Sequence, residues 1–268
     1  MGNKLNGVDY HVEQAGTGFP LLMFHGFTGT SSTWTPFTTS IGLTSRMIMV
    51  DLIGHGNSDS PPDHERYDIL KVAGDMKRLL DRLGIEKTDL LGYSMGGRLA
   101  ITFAANYPEM VRKLVLESTT PGLQTAEERE FRRRQDAKLA SVILSEGIES
   151  FVNYWESIPL FQSQRILPAE IREAIRTQRL QNSPIGLANS LLGMGTGTQP
   201  SWWNSLSMFE FETLLLSGER DEKFCKISEE MGDLLPSVKK LSIRNAGHAI
   251  HVEEPEKFGT IVSEFLSN

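Results

Sequence analysis

A serine hydroxyl is inert near neutral pH unless a neighbouring base takes its proton. The segment Gly92-Tyr93-Ser94-Met95-Gly96 offers a serine in the right setting for such activation. The pattern G-x-S-x-G is a weak signal alone. Its weight comes from position, after the apolar run Leu90-Leu91 and before a helix-like stretch over 95–106. A sharp strand–turn–helix strains the serine backbone, so the residues two before and two after it must be small. Gly92 and Gly96 meet that demand, and Gly97 adds packing room. The turn also sets Ser94 at a helix N-terminus, where free N–H groups and the helix dipole favour negative charge.

A serine on such a turn is followed in the chain by its acid and then by its histidine. That order removes His11, His25, His55 and His64 and leaves His248 and His251. His248 follows Ala246-Gly247 in a loop after the strand-like run 241–243 and is the expected base. His251, nearer the final helix, is the alternative. The acid belongs on the loop after Leu214-Leu215-Leu216-Ser217-Gly218, where Glu219, Asp221 and Glu222 are available. Asp221 is the expected orienter of the imidazole, with Glu219 second. The run Leu21–Phe24 ends in His25-Gly26-Phe27. The backbone N–H groups of Phe27 and Met95 are expected to face a developing negative charge together, with His25 supporting the loop.

These side chains need a scaffold that brings distant segments to one edge. Short apolar runs at 21–24, 47–50, 90–91, 114–116, 214–216 and 241–243 read as buried strands. Helical segments separate them. Residues 67–83 place Ile69, Leu70, Val72, Ala73, Met76, Leu79, Leu80 and Leu83 largely on one side, and Gly84 stands where a helix ends. The last helix starts near Pro255 and runs to Phe265-Leu266. Continuous apolar strands alternating with helices predict an α/β fold, a mostly parallel sheet covered on both faces. The texture changes after the strand near 112–117. Residues 119–205 are rich in helix formers and arginine. The expected organisation is one core of 1–118 and 206–268, interrupted by a helical cap of 119–205.

The chain has 268 residues with 27 Lys+Arg against 34 Asp+Glu, a net charge of −7. That balance argues against a nucleic-acid binder with a basic face. A single cysteine, Cys225, excludes an intramolecular disulfide framework and a cysteine-rich metal site. No apolar run approaches the ~20 residues of a membrane-spanning helix. The start, Met1 to Asn6, has neither a signal-like apolar stretch nor the Ser or Thr of a myristoylation pattern. A cytoplasmic protein, monomeric or a small homo-oligomer, is expected, with no membrane or nucleic-acid partner.

The cap is unusual for its arginines. Arg132, Arg133 and Arg134 are consecutive, so on a helix they splay over about 200° and cannot share one pocket. Arg129 lies on the side of Arg132 and Arg133. Arg98 stands one helical turn after Ser94. Guanidinium forks clamp carboxylates, which points to a polyanionic small substrate. Pairing with Glu127, Glu128 and Glu130 is the competing explanation for the arginines of 129–134.

Several stretches resemble one known family. They are Phe24-His25-Gly26-Phe27-Thr28-Gly29, the serine motif extended by Gly97-Arg98, Pro121-Gly122-Leu123-Gln124, Gly218-Glu219-Arg220-Asp221 with Lys223-Phe224, and Ala246-Gly247-His248. In the cap, Tyr154-Trp155 and Pro159-Leu160-Phe161 add to them. Together they look like the α/β-hydrolase-fold 2-succinyl-6-hydroxy-2,4-cyclohexadiene-1-carboxylate synthases of menaquinone biosynthesis. The resemblance spans nearly the whole chain. One departure is Ile53, where many α/β hydrolases carry proline.

The resemblance implies Ser94, Asp221 and His248 as a catalytic triad. It implies Tyr93, Arg98, Arg132, Trp155 and Arg179 as substrate contacts. The implied reaction is a lyase step in which a ring proton next to a ketone leaves and pyruvate is expelled, with Ser94 as base and neither metal nor organic cofactor required. A serine carboxylester or C–C bond hydrolase uses the same triad and is the first alternative. A non-catalytic binding protein on the same scaffold is the second.

Overall fold

A computed structural model describes residues 4–268. Met1 to Asn3, part of the N-terminal segment considered above, lie outside the described residues. The strands are β1 (Lys4–Leu5), β2 (Val8–Asp9), β3 (Val12–Ala15), β4 (Phe19–Phe24), β5 (Ser45–Val50), β6 (Thr88–Tyr93), β7 (Val111–Glu117), β8 (Glu212–Gly218) and β9 (Val238–Ile243). The helices are α1 (Ile69–Arg82), α2 (Met95–Asn106), α3 (Ala126–Ser157), α4 (Ala169–Leu180), α5 (Pro184–Met194), α6 (Glu222–Gly232), α7 (Ile250–Glu253) and α8 (Pro255–Ser267). Short 3₁₀ segments, among them Ser31–Thr39 and Pro159–Ile166, join them.

Seven strands form one sheet in the order β3-β5-β4-β6-β7-β8-β9. Only β3 runs antiparallel to its neighbour; every other pair is parallel. The alternation of side chains along each strand explains why the apolar runs are unbroken. Leu22, Phe24, Ile48, Val50 and Leu90 pack on one face with Val72 of α1 and Leu99 of α2. Leu21, Met23, Met47, Met49 and Leu91 pack on the other with Trp34 and with Phe258 of α8. The sheet is therefore greasy on both sides, and its C-terminal edge is left to loops.

Between β7 and β8 the chain leaves the sheet and forms α3, α4 and α5. Thr125 opens α3 with a capping box to Glu128. Gly147, at φ 84° and ψ 173°, is non-helical and kinks α3 into two helical stretches. Ile143, Phe151 and Val152 of α3 bury themselves against Leu187, Ala188 and Leu191 of α5, an apolar cluster separate from both faces of the sheet.

The β6–α2 junction is packed to backbone contact. A Cβ on Gly96 would lie 2.2 Å from the carbonyl oxygen of Phe24, and one on Gly97 2.5 Å from the Thr119 side chain. The helix N-terminus thus sits directly on the end of β4. Gly74 in α1 differs, because a Cβ there meets nothing nearer than 3.7 Å. Gly96→Ala is expected to destabilise the fold by about 1–3 kcal/mol through overpacking. Gly74→Ala should instead stabilise it by roughly 0.5–1 kcal/mol, as alanine does for glycine in a helix interior. Chemical denaturation of both variants beside the parent checks the opposite signs.

Candidate active site

Ser94 occupies the turn between β6 and α2 at φ 51° and ψ −108°, outside ordinary side-chain territory. Its N–H donates to the Glu117 carbonyl at 2.9 Å, and its own carbonyl accepts from Thr119 Oγ1 at 2.7 Å. Neighbouring strand ends thus hold both sides of the strained residue.

His248 lies in the loop after β9, with Nε2 3.0 Å from Ser94 Oγ and Nδ1 2.6 Å from Asp221 Oδ2. A carboxylate only accepts, so the network assigns the proton to Nδ1 and leaves Nε2 to receive the serine hydroxyl. Asp221 also caps α6, accepting weakly from Phe224 N–H at 3.4 Å. The rings of Tyr93, Phe161 and Phe224 surround the imidazole at centroid distances of 5.4, 6.1 and 4.7 Å. The Glu253 carboxylate accepts the N–H groups on either side of His248, Gly247 at 2.7 Å and Ala249 at 3.4 Å.

The alternative residues do other work. His251 Nδ1 stands 2.9 Å from both oxygens of the buried Glu117 carboxylate, which also accepts the His251 N–H at 3.1 Å. Its ring meets Tyr93 edge-on at 4.6 Å. Glu219 is exposed and accepts from Asn245 N–H, away from His248.

His25 Nε2 accepts the Leu52 N–H at 3.0 Å, so its proton is on Nδ1, which donates to the Gly26 carbonyl at 2.8 Å. The same carbonyl accepts from Gly29 N–H at 2.9 Å. In a trans peptide the next N–H points the opposite way, so this pair of bonds aims Phe27 N–H away from the loop. Neither Phe27 N–H nor Met95 N–H has a partner among the described residues, and both residues line the cavity at Ser94. His25 therefore supports the loop.

That cavity has a volume of about 150 Å³. Tyr93, Arg98, Arg132, Trp155 and His248 line it with Ser94. Arg98 Nη1 donates to the Met194 carbonyl and to Gln199 Oε1, both at 2.6 Å, and its other N–H groups have no partner among the described residues. Burial pushes its pKa down to about 9, the nearby Arg132 charge adds to this, and Asp136 opposes it. Arg132 Nε donates to Asp136 Oδ1 at 2.8 Å. Burial raises the Asp136 pKa even so, against the pull of Arg132 and Arg98. Both guanidiniums line the one cavity, but Arg132 alone is paired with Asp136, and Arg98 makes no ion pair among the described residues.

Of the consecutive arginines, Arg133 and Arg134 turn outward and pair with Glu130. Arg179, expected among the substrate contacts, does not line this cavity. It is buried beyond the Phe161 ring, 4.9 Å from its centroid, with Glu156 Oε1 at 3.4 Å and Gln164 Oε1 at 3.3 Å. It lines an adjoining vestibule of about 380 Å³ that shares Phe27, Tyr93 and Phe161 with the Ser94 cavity. The sequence gives position along α4 but not the packing of the cap, and the packing decides which chamber Arg179 enters. Lys223 borders the Ser94 cavity from α6. Its signal was the Lys223-Phe224 pair just after Asp221. Glu117, Asp136, Gln199 and Glu253 act through folding contacts that no spacing announces.

A serine on a strand–helix turn at the C-terminal edge of a mostly parallel sheet is the arrangement of the α/β-hydrolase fold, and residues 20–255 match that family. Within that class the likeness is narrower. The chain is 49% identical over 265 residues to a Bacillus subtilis (strain 168) protein provisionally named 2-succinyl-6-hydroxy-2,4-cyclohexadiene-1-carboxylate synthase, covering 98% of this chain and 96% of that one. It is 34% identical to the synthase of that name from Salmonella paratyphi C (strain RKS4594), over 89% of this chain and 90% of the other. The solved structure of MenH from S. aureus superposes with a TM-score of 0.91 at 38% identity, covering 96% of this chain and 97% of that chain. The chain belongs to the 2-succinyl-6-hydroxy-2,4-cyclohexadiene-1-carboxylate synthase family of α/β hydrolases.

The loop beneath the site contains a second buried histidine, His55, whose Nδ1 donates to the Ile53 carbonyl at 3.0 Å. Burial holds the His55 pKa down to about 3, helped by the neighbouring His25, whose own pKa burial also lowers. The unfolded chain binds protons that these folded imidazoles refuse. For His55 the stability present above about pH 6.5 is lost as pH falls toward 3, by up to about 1.4 kcal/mol per pH unit, and His25 acts in the same direction. His55→Asn should remove close to one proton equivalent from the slope of unfolding free energy against pH in that window. Denaturant titrations between pH 6.5 and 4 measure it, and an unchanged slope contradicts the burial argument.

Proposed function

We propose that the protein is a carbon–oxygen lyase that eliminates pyruvate from 2-succinyl-5-enolpyruvyl-6-hydroxy-3-cyclohexene-1-carboxylate, giving 2-succinyl-6-hydroxy-2,4-cyclohexadiene-1-carboxylate for menaquinone biosynthesis. One observation carries the reading. The Ser94–His248 contact opens into a cavity lined by two guanidiniums, Arg98 and Arg132, of which only Arg132 is ion-paired, to Asp136. An ester hydrolase needs the contact but not the guanidiniums. A substrate with three carboxylates needs both.

In the proposed reaction His248 Nε2 takes the Ser94 proton, and the serine oxygen takes the proton from the ring carbon beside the ketone. Asp221 stabilises the imidazolium. The ketone oxygen becomes an enolate held by Phe27 and Met95 N–H. Its electrons return through the ring alkene and break the bond to the enolpyruvyl oxygen. The proton on His248 restores Ser94, and the ring proton leaves with pyruvate, so no water is consumed. Arg98 and Arg132 hold carboxylates, while Tyr93 and Trp155 wall the ring. Arg179 joins them if the substrate extends past Phe161 into the vestibule.

We also propose the division into a core of 1–118 and 206–268 and a cap of 119–205. The separate apolar cluster of α3 and α5 supports it. The single cysteine fits a reducing compartment, and we place the enzyme in the cytoplasm.

Purified protein should release pyruvate from the enolpyruvyl substrate. Fast turnover of aryl esters without pyruvate release would sink the assignment. His248→Ala should lose on the order of 10⁴–10⁶ in kcat, and His251→Ala far less. The reverse order would put the base in the wrong place. Arg98→Lys keeps the charge and loses the fork. A fall of roughly 10–100-fold in kcat/KM is expected, read in the same pyruvate assay.

A further inference from the structure

Arg98 of α2 and Arg132 of the cap face the Ser94 cavity, while four other cap arginines line an outer cleft of about 510 Å³ between the 3₁₀ segment Pro159–Ile166 and α4. Three of the four, Arg172, Arg176 and Arg179, are spaced i, i+4 and i+7, so they ascend one face of α4. Like charges at that spacing disfavour a helix. The chain as a whole is negative, so this stripe runs against its overall charge.

Two acids line the cleft, and they do not neutralise it. Glu156 takes Arg176 at 2.8 Å and Arg179 at 3.4 Å. Glu173 makes no ion pair among the described residues, and neither does Arg172. Arg165 donates only to the Ser157 carbonyl, at 3.3 Å. Both Arg165 and Arg172 are exposed. Two guanidinium forks therefore stand open at the cleft.

The cleft adjoins the interior through shared walls. Phe161, Gln164 and Arg179 line it and also line the vestibule. Phe27, Tyr93 and Phe161 line the vestibule and also the Ser94 cavity. A polyanion at the outer cleft meets Arg179 directly and is two walls away from Ser94.

We propose that this cleft is a docking site for small polycarboxylates, with Arg165 and Arg172 as its carboxylate-binding residues, where an anionic substrate is captured before it enters. The identity of that polycarboxylate as substrate rests on the proposed lyase reading. A positive patch at the entrance raises the local concentration of an anion that the net charge would repel, and it acts on the association rate rather than on chemistry.

Two measurements on the intact protein test the cleft. The first titrates citrate, a tricarboxylate probe, against the Nε–H NMR signals of Arg165 and Arg172 at low salt. Saturable shifts are expected, and in the Arg165→Ala/Arg172→Ala variant the Nε–H signals of Arg176 and Arg179, which also line the cleft, should no longer move beyond the chloride control. Shifts no larger than those given by chloride at equal ionic strength would make the stripe a solvated helix face and overturn the proposal. The second compares kinetics. The double variant should lose about three- to tenfold in kcat/KM at low ionic strength with kcat unchanged, and the difference should close as salt rises. A kcat/KM with the parent's value and salt slope overturns the proposal. Absence of pyruvate release by the parent would sink the lyase reading alone, since the citrate titration decides the cleft independently.

Discussion

The 3.0 Å contact between Ser94 Oγ and His248 Nε2 is the constraint around which the rest is arranged. It joins residues 154 positions apart, and it requires Ser94 to keep a backbone conformation that an unsupported chain would leave. The strain is held from three sides. Gly96 lets α2 sit on β4, the Glu117 carbonyl fixes the Ser94 N–H, and Thr119 fixes the Ser94 carbonyl. Glu117 does more than that. Its side chain takes the N–H and ring of His251 at the start of α7, so one residue at the end of β7 ties the serine turn to the helix that follows His248. Glu253, at the other end of α7, holds the main chain around His248 itself.

Charge is the second theme. Arg98 is buried with its pKa pushed well down from the usual arginine range, and its acceptors are a backbone carbonyl and an amide, with no carboxylate among them. A buried cation without a full partner is unfavourable in the folded chain. The proposed substrate offsets that by bringing carboxylates. The same complementarity separates the lyase reading from a hydrolytic one, because the triad geometry serves both chemistries and the guanidiniums serve only one.

Much of this could be read from the chain. Continuous apolar runs such as Leu21–Phe24 and Leu214–Leu216 marked strands buried on both faces, because no other setting hides every side chain. Chain order selected His248 and the loop after β8, and the steric demand of the turn explained Gly92 and Gly96. What could not be read depends on the packing of segments with no fixed register to the sheet. Arg132 and Arg179 look alike in sequence, yet one reaches the Ser94 cavity and the other is held behind Phe161 by Glu156. The bend at Gly147 redirects the end of α3, and with it Trp155, in a way that composition does not convey. The short strand Val12–Ala15 leaves no apolar alternation, since Glu13 and Gln14 are both exposed.

The central claim is that the Ser94–His248 pair removes a proton from carbon rather than attacking a carbonyl. The most direct measurement is the isotope effect on pyruvate release from substrate deuterated at the ring carbon beside the ketone, with the intact mass of the enzyme followed during turnover. The account predicts a primary effect clearly above unity and an enzyme mass that never changes. An effect of unity together with a covalent adduct on Ser94 would contradict it.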